Sequence, residues 1–216
     1  MKFLDSFHLK LIAIITMVID HIGYVFFPSE EIFRIIGRIA FFLFAFMIAE
    51  GMVHSKNVVK YKGRLLLFAL LSEIPHDLLF YNKWLEFEHQ NIFFTLFLSA
   101  FLIYLLRKPL SLLHKSLVIL SALILSTVGN LEYGIYGLLL IVNFYFIKDC
   151  AIKTIIAQLL STFAVFIINI LQFWAGLGIV PLLLYNGKKG INTGKIFYYF
   201  YPFHLSVLYI VKILIN

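Results

Sequence analysis

Cysteine, charge and hydrophilic linkers are what this sequence has least of. A single cysteine, Cys150, excludes an intramolecular disulfide. Only 13% of the 216 residues are charged and 62% are apolar, with a mean hydropathy of +0.96. Soluble domains carry about 25% charged residues, so the composition excludes an ordinary soluble fold and implies an integral membrane protein. The sequence also lacks a glycine-rich phosphate loop, an internal repeat and any low-complexity tract.

Present instead are apolar runs divided by short charged clusters, at 9–27, 32–53, 64–81, 91–106, 112–128, 134–147, 152–171, 172–187 and 196–215. A spanning helix needs about 20 mostly apolar residues. The pattern predicts an all-α polytopic membrane protein of about nine transmembrane helices (eight to ten), in one domain over residues 1–216. Helices are expected because lipid offers the backbone no hydrogen-bonding partners and the runs lack the alternation of a barrel. The run 151–187 is too long for one crossing. Lys148 and Lys153 stand at its start and Lys188 and Lys189 follow it, so two crossings keep both clusters on one side. The turn is expected near Asn169 to Gly178, where Gln172, Gly176 and Gly178 tolerate one.

The net charge of +7 sets orientation and does not indicate nucleic-acid binding. With the N-terminus cytoplasmic, Lys2, Lys10, Lys56, Lys60, Lys62, Arg64, Arg107, Lys108, Lys115, Lys148, Lys153, Lys188, Lys189 and Lys195 share the inner face. Only Lys83 and Lys212 fall outside, with the acids Glu30, Glu31, Glu86, Glu88 and Glu132. The C-terminus is then extracytoplasmic. The first run has no small-residue cleavage site, so it reads as a retained anchor in a multi-pass cell-membrane protein.

Ionisable residues inside the first three runs are the unusual feature: Asp20, His21, Arg38, Glu50, Glu73, His76 and Asp77. Each costs about 2.5–3.5 kcal/mol at a helix centre unless paired or hydrated. At about 1.5 Å per residue, Asp20, His21, Arg38, Glu73, His76 and Asp77 converge near mid-membrane, with His204 from the last run, while Glu50 and His54 lie near the inner mouth. They are expected to meet in one wet pocket open to the cell interior. Arg34 and Arg38, like Glu50 and His54, share a helix face at i,i+4. Asp20 and His21 point about 100° apart, so Asp20 is expected to pair with Arg38 as scaffold. His21 is expected to work, oriented by Glu73 or Asp77. No metal is expected, because Glu50 to His54 reads E-x-x-x-H and not H-E-x-x-H. His8, His89 and His114 fall in loops or at interfaces, and the 24 phenylalanines read as packing and lipid-facing bulk.

Several stretches resemble the TraX family: LKLIAIITMVIDHIGYVFFP, IFRIIGRIAFFLFAFMIAEGMVHSKN, RLLLFALLSEIPHDLLF, QNIFFTLFL, EYGIYGLLLI and FYYFYPFHLSVLYI. They run in order over nearly the whole chain. The resemblance implies membrane-embedded acyl transfer, of the kind associated with acetylation of a pilin N-terminus. It is similar in turn to the wider group of transmembrane acyltransferases, which use cytosolic acyl-CoA. On it, His21 matches the position of that group's essential histidine, and Arg38, Glu73, Asp77, Asn91 and His204 fall in the other motifs. Glu132 stands where the family pattern has an aspartate before Y-G.

The implied enzyme moves an acetyl or short acyl group from acetyl-CoA to an amine or hydroxyl of a peptide, pilin or glycan acceptor at the membrane. Such transfer needs a base, donors to the oxyanion and a departing thiolate. His21 suits the base, Asn91 or Arg38 the thioester donor, and His204 a second base or thioester contact. Lys60, Lys62, Arg64, Lys188, Lys189 and Lys195 suit the phosphates, and Tyr201, beside Tyr198 and Tyr199, the arm of the donor. The alternative is a proton- or ion-coupled transporter, for which buried carboxylates and histidines are equally natural. Against it stands the lack of an inverted repeat.

Overall fold

Short polar side chains start several of the helices. In this computed structural model, which describes residues 2–147, 150–166, 168–192, 194 and 196–215, Asp5 accepts from the backbone N–H groups of Phe7 and His8 and opens α1 (Ser6–Phe26). After α2 (Glu31–His54), Asn57 caps α3 (Val58–Tyr81), Asn91 caps α4 (Ile92–Leu106) and Ser111 caps α5 (Leu112–Val128). Each cap satisfies an N–H that the first helical turn leaves without a partner. Then come α6 (Gly134–Phe146) and α7 (Cys150–Ala164). A 3-10 helix (Ile170–Gly178) runs into α8 (Ile179–Leu183), and α9 (Ile196–Ile215) follows. Among the described residues there is no strand, only isolated bridges from Leu4 to Tyr185 and from Gln90 to Leu131. Lys148, Lys195 and the side chain of Cys150 lie outside the described residues.

The helix starts agree with the hydropathy pattern within a few residues, except before residue 64 and beyond residue 164. The apolar run at 64–81 begins six residues earlier as helix, because Asn57 supplies a cap upstream of it. The turn expected near Asn169 to Gly178 falls earlier, with turns at 165–166 and at 168, and Ile170–Gly178 form a 3-10 helix capped by Asn169. Their glycines serve close packing. A Cβ on Gly176 would collide with Gln158, and one on Gly178 with Phe42. Gln172 is fully buried and meets Arg38.

α2 occupies the middle of the bundle, between α1, the 3-10 helix and α6, and it buries Phe42, Leu43, Ala45 and Met52 completely. α3 packs on α9 and α4, and α7 on the 3-10 helix and α6. Among the described residues, three helices, α1, α2 and α9, are long and apolar enough to cross a bilayer. The other apolar helices are shorter, 13 to 17 residues for α4, α5 and α6. At 1.5 Å per residue those reach about 20–26 Å, below a core of about 30 Å. Outward faces remain apolar: on α5, Leu112 is 82% and Val128 76% exposed, with Leu117, Leu120 and Ile124 between them. A face of that size in water would be an aggregation surface; against acyl chains it costs nothing.

Candidate functional site

Gly37 lets α1 and α2 approach at the level of Asp20. A Cβ there would overlap the Asp20 carboxylate, so only glycine leaves that carboxylate a seat. Two guanidinium groups then close on it. Arg34 Nη1 lies 2.9 Å from Oδ2 and Arg38 Nη2 lies 3.5 Å from Oδ1. Arg38 is held further by its Nε donating to the Arg34 carbonyl, 3.2 Å, and by Nη1 to Gln172 Oε1, 3.5 Å. Its guanidinium also sits over the Tyr133 ring, 5.7 Å away, and Arg34 sits over Tyr24, 4.9 Å away. The pairing of Asp20 with Arg38 is as the sequence indicates. Arg34 was legible only as the residue four before Arg38.

His21, one residue on, faces elsewhere. Its Nδ1 is 2.8 Å from Nε2 of His204, with the rings nearly parallel at 8° and their centroids 5.0 Å apart. The other nitrogen of His204, Nδ1, is 3.0 Å from the Phe200 carbonyl. A carbonyl can only accept, so in the neutral pair His204 carries its proton on Nδ1 and presents a lone pair at Nε2. His21 must then donate from Nδ1, which leaves the lone pair on its Nε2. A backbone carbonyl, acting through one imidazole, thus fixes the tautomer of the other.

Two cavities approach this pair from opposite ends of the bundle. One, of about 690 Å³, opens at the basic end between the start of α1, the end of α2, the start of α3 and residues 185–201. Lys10, Arg64 and Lys189 stand at its mouth with Glu50 and His54, whose side chains are 3.4 Å apart. Met17, Phe93, Leu96 and Tyr201 line its depth. The other, of about 650 Å³, is lined by Asp20, His21, Tyr24, Arg34, His76, Phe80, Glu88, Glu132 and Tyr133. Between them stands Tyr201, its ring 6.3 Å from that of His21, 5.5 Å from His204 and 5.3 Å from Phe93. The single pocket expected to open at the basic end is therefore two, and His21 lines the one at the far end.

Several expected roles are corrected by these contacts. Neither Glu73 nor Asp77 orients His21. Glu73 pairs with Asn91, and Asp77 receives His76 Nδ1 at 2.9 Å and the Glu86 N–H at 2.7 Å. Asn91 is no donor to a ligand: fully buried, it caps α4 and gives its amide protons to Ala69 O and Glu73. Lys60 and Lys188 are exposed and outside the lining of the basic-end cavity, which Arg64, Lys189 and Tyr201 do line. Lys62 is buried with Nζ 3.5 Å from the centroid of the Tyr104 ring. Sequence reasoning missed Gly37, Arg34 and Tyr133; the G-R pair at 37–38 was the available signal for the first.

At the rim of the far cavity, Glu132 faces the opening but is ringed by protein, and the lost hydration pushes its carboxyl up to about 7. Below it, Glu86 is held under the usual carboxylate range by Lys83. Among the described residues, Glu86, Glu88 and His89 form the one group whose ligand atoms stand near enough to share a metal ion. Lys83 already neutralises Glu86, and His21, His54, His76, Glu50 and Glu73 do not assemble into such a group.

Against known proteins, the model of the family described as TraX protein matches residues 6–212. A relative from Dichelobacter nodosus, described as a probable fimbrial assembly protein, FimC of serogroup H1, is 30% identical over 94% of each chain. An uncharacterised protein of Rickettsia prowazekii (strain Madrid E) is 33% identical over 48% of this chain and 38% of its own length. No solved structure matches.

Proposed function

The chain belongs to the TraX family, and from that premise we propose that it is a membrane-embedded acyltransferase. It takes an acetyl or short acyl group from acyl-CoA at the basic end and hands it to an amine or hydroxyl presented at the other. The observation that carries this reading is a pair of cavities at opposite ends of the bundle, one lined by Tyr201 and the other by His21, with these two rings 6.3 Å apart and His204 bonded to His21. Lys10, Arg64 and Lys189 suit a polyanionic donor head, and the apolar depth at Met17, Phe93 and Leu96 suits its arm. Nε2 of His21 accepts the acceptor's proton during attack on the thioester carbonyl. The C–N or C–O bond forms, the C–S bond breaks, and that proton passes to the thiolate. Asp20, Arg34 and Arg38 brace α1 against α2 so that His21 holds its position.

The D. nodosus relative is named for fimbrial assembly, which favours a pilin N-terminus as acceptor. A multi-pass place in the cell membrane, basic end in the cytoplasm, follows the positive-inside rule. The test is purified protein with radiolabelled acetyl-CoA and peptide amines, beside His21→Ala. Label transfer surviving that substitution ends the assignment of His21. A second reading, proton- or ion-coupled transport, is favoured by the opposed mouths of the two cavities. It would be recognised by the absence of acyl-CoA binding together with ligand-driven proton flux in liposomes.

A further inference from the structure

The far cavity holds a second imidazole, which the mechanism above leaves unused. His76, on α3, is 5% exposed, lines that cavity, and places its Nδ1 2.9 Å from Oδ1 of Asp77. Asp77 is fully buried, and its other oxygen accepts the Glu86 N–H at 2.7 Å, so the carboxylate is held on both sides. A carboxylate that accepts from Nδ1 leaves the lone pair of the neutral ring on Nε2. The Phe80 ring lies edge-on to both imidazoles, 5.3 Å from His21 and 5.1 Å from His76. Two tautomerically fixed rings therefore flank one aromatic side chain in one cavity. Of the carboxylates in the lining, Asp20 is already held by Arg34 and Arg38; Glu88, and Glu132 once ionised, stand in no ion pair among the described residues and favour a cationic guest.

We propose that His76, positioned by Asp77, strips the first proton from an ammonium acceptor. This rests on the acyltransferase reading. A primary amine arrives as R–NH3+ and cannot attack until one proton leaves. His76 Nε2 takes that proton and releases it to the water of the far cavity. The freed lone pair attacks the thioester carbon. His21 takes the second proton as the C–N bond forms and passes it to the departing thiolate, so the net products are amide, thiol and one proton. Two bases are needed because two protons leave one nitrogen and go to different places. A hydroxyl acceptor would need only His21.

The test uses full-length protein, acetyl-CoA and primary amines graded from strongly basic alkylamines to weakly basic trifluoroethylamine, each across a pH series. The groups around His76 that also titrate are Asp77 and Tyr81 on α3, Glu86, Glu88 and His89 in the next loop, His21 on α1, and Glu132 and Tyr133 across the cavity. His76→Gln and Asp77→Asn are expected to lose roughly 10²-fold with alkylamines at neutral pH, the lower range for a general base. The loss should vanish with trifluoroethylamine, or as pH rises above the acceptor's own pKa. His21→Gln should lose activity with every amine at every pH. A His76→Gln loss that is equal across amines and pH marks a structural role and overturns the proposal, as does no loss at all. If the unmodified protein transfers to no acceptor, the acyltransferase reading itself has failed, which is a separate result.

Discussion

Replacing His204 by phenylalanine tests whether a neighbouring ring sets the chemistry of His21. Phenylalanine keeps an aromatic ring beside His21 but removes both nitrogens of His204, the Nε2 that accepts from His21 Nδ1 and the Nδ1 that donates to the Phe200 carbonyl. Leaving a buried donor unsatisfied costs about 1–3 kcal/mol. The tautomer with the proton on Nε2, able to donate into the far cavity, is favoured by that amount. At about 1.4 kcal/mol per factor of ten, the base-competent tautomer falls about 5- to 140-fold. Acyl transfer should fall equally, with acyl-CoA affinity unchanged because the basic-end cavity is untouched. His204→Gln, whose side-chain oxygen can accept, should keep more activity than His204→Phe. Nitrogen-15 NMR of labelled histidine reads the tautomer without any turnover. A phenylalanine variant that still protonates His21 on Nδ1, or that works at the wild-type rate, would refute the reasoning.

Three further outcomes follow from the same contacts. Asp20→Asn leaves two guanidinium groups without their carboxylate and should destabilise the protein by about 3–5 kcal/mol in denaturant titration in detergent; an unchanged midpoint would contradict the pairing. Gly37→Ala drives a methyl group into the Asp20 seat and should lower stability by about 1–3 kcal/mol, and a neutral result would mean that α1 and α2 are not held in close contact there. Glu132 keeps its proton up to about 7 in the native protein, against 4.5 when unfolded, so stability should decline as pH rises from 4.5 through about 7; Glu132→Gln should flatten that decline, and an unaltered profile would assign it elsewhere.

The sequence displays charges well and neutral partners poorly. Asp20 with Arg38 was legible because lipid forces opposite charges on adjacent helices to meet. His21 with His204 was not, since 183 residues separate them and two neutral rings obey no charge rule. Reasoning from sequence looked instead for a carboxylate beside His21. Glu73 and Asp77 are near enough along the chain, but Asn91, His76 and the Glu86 amide occupy them. The helix starts were readable from Asp5, Asn57, Asn91 and Ser111. The break after Ala164 was hidden inside a continuous apolar run, and the 3-10 helix that follows packs its glycines against Gln158 and Phe42.

A septum one aromatic side chain thick has a consequence for direction. On the acyltransferase reading proposed here, with Tyr201 and its two histidine neighbours between the mouths, spent thiol and acylated product would drain into different compartments. Neither accumulates where the other must bind, so reversal would require both to be abundant on opposite faces at once. Partition of this kind leaves the equilibrium unchanged and ties net direction to the concentrations held on each face.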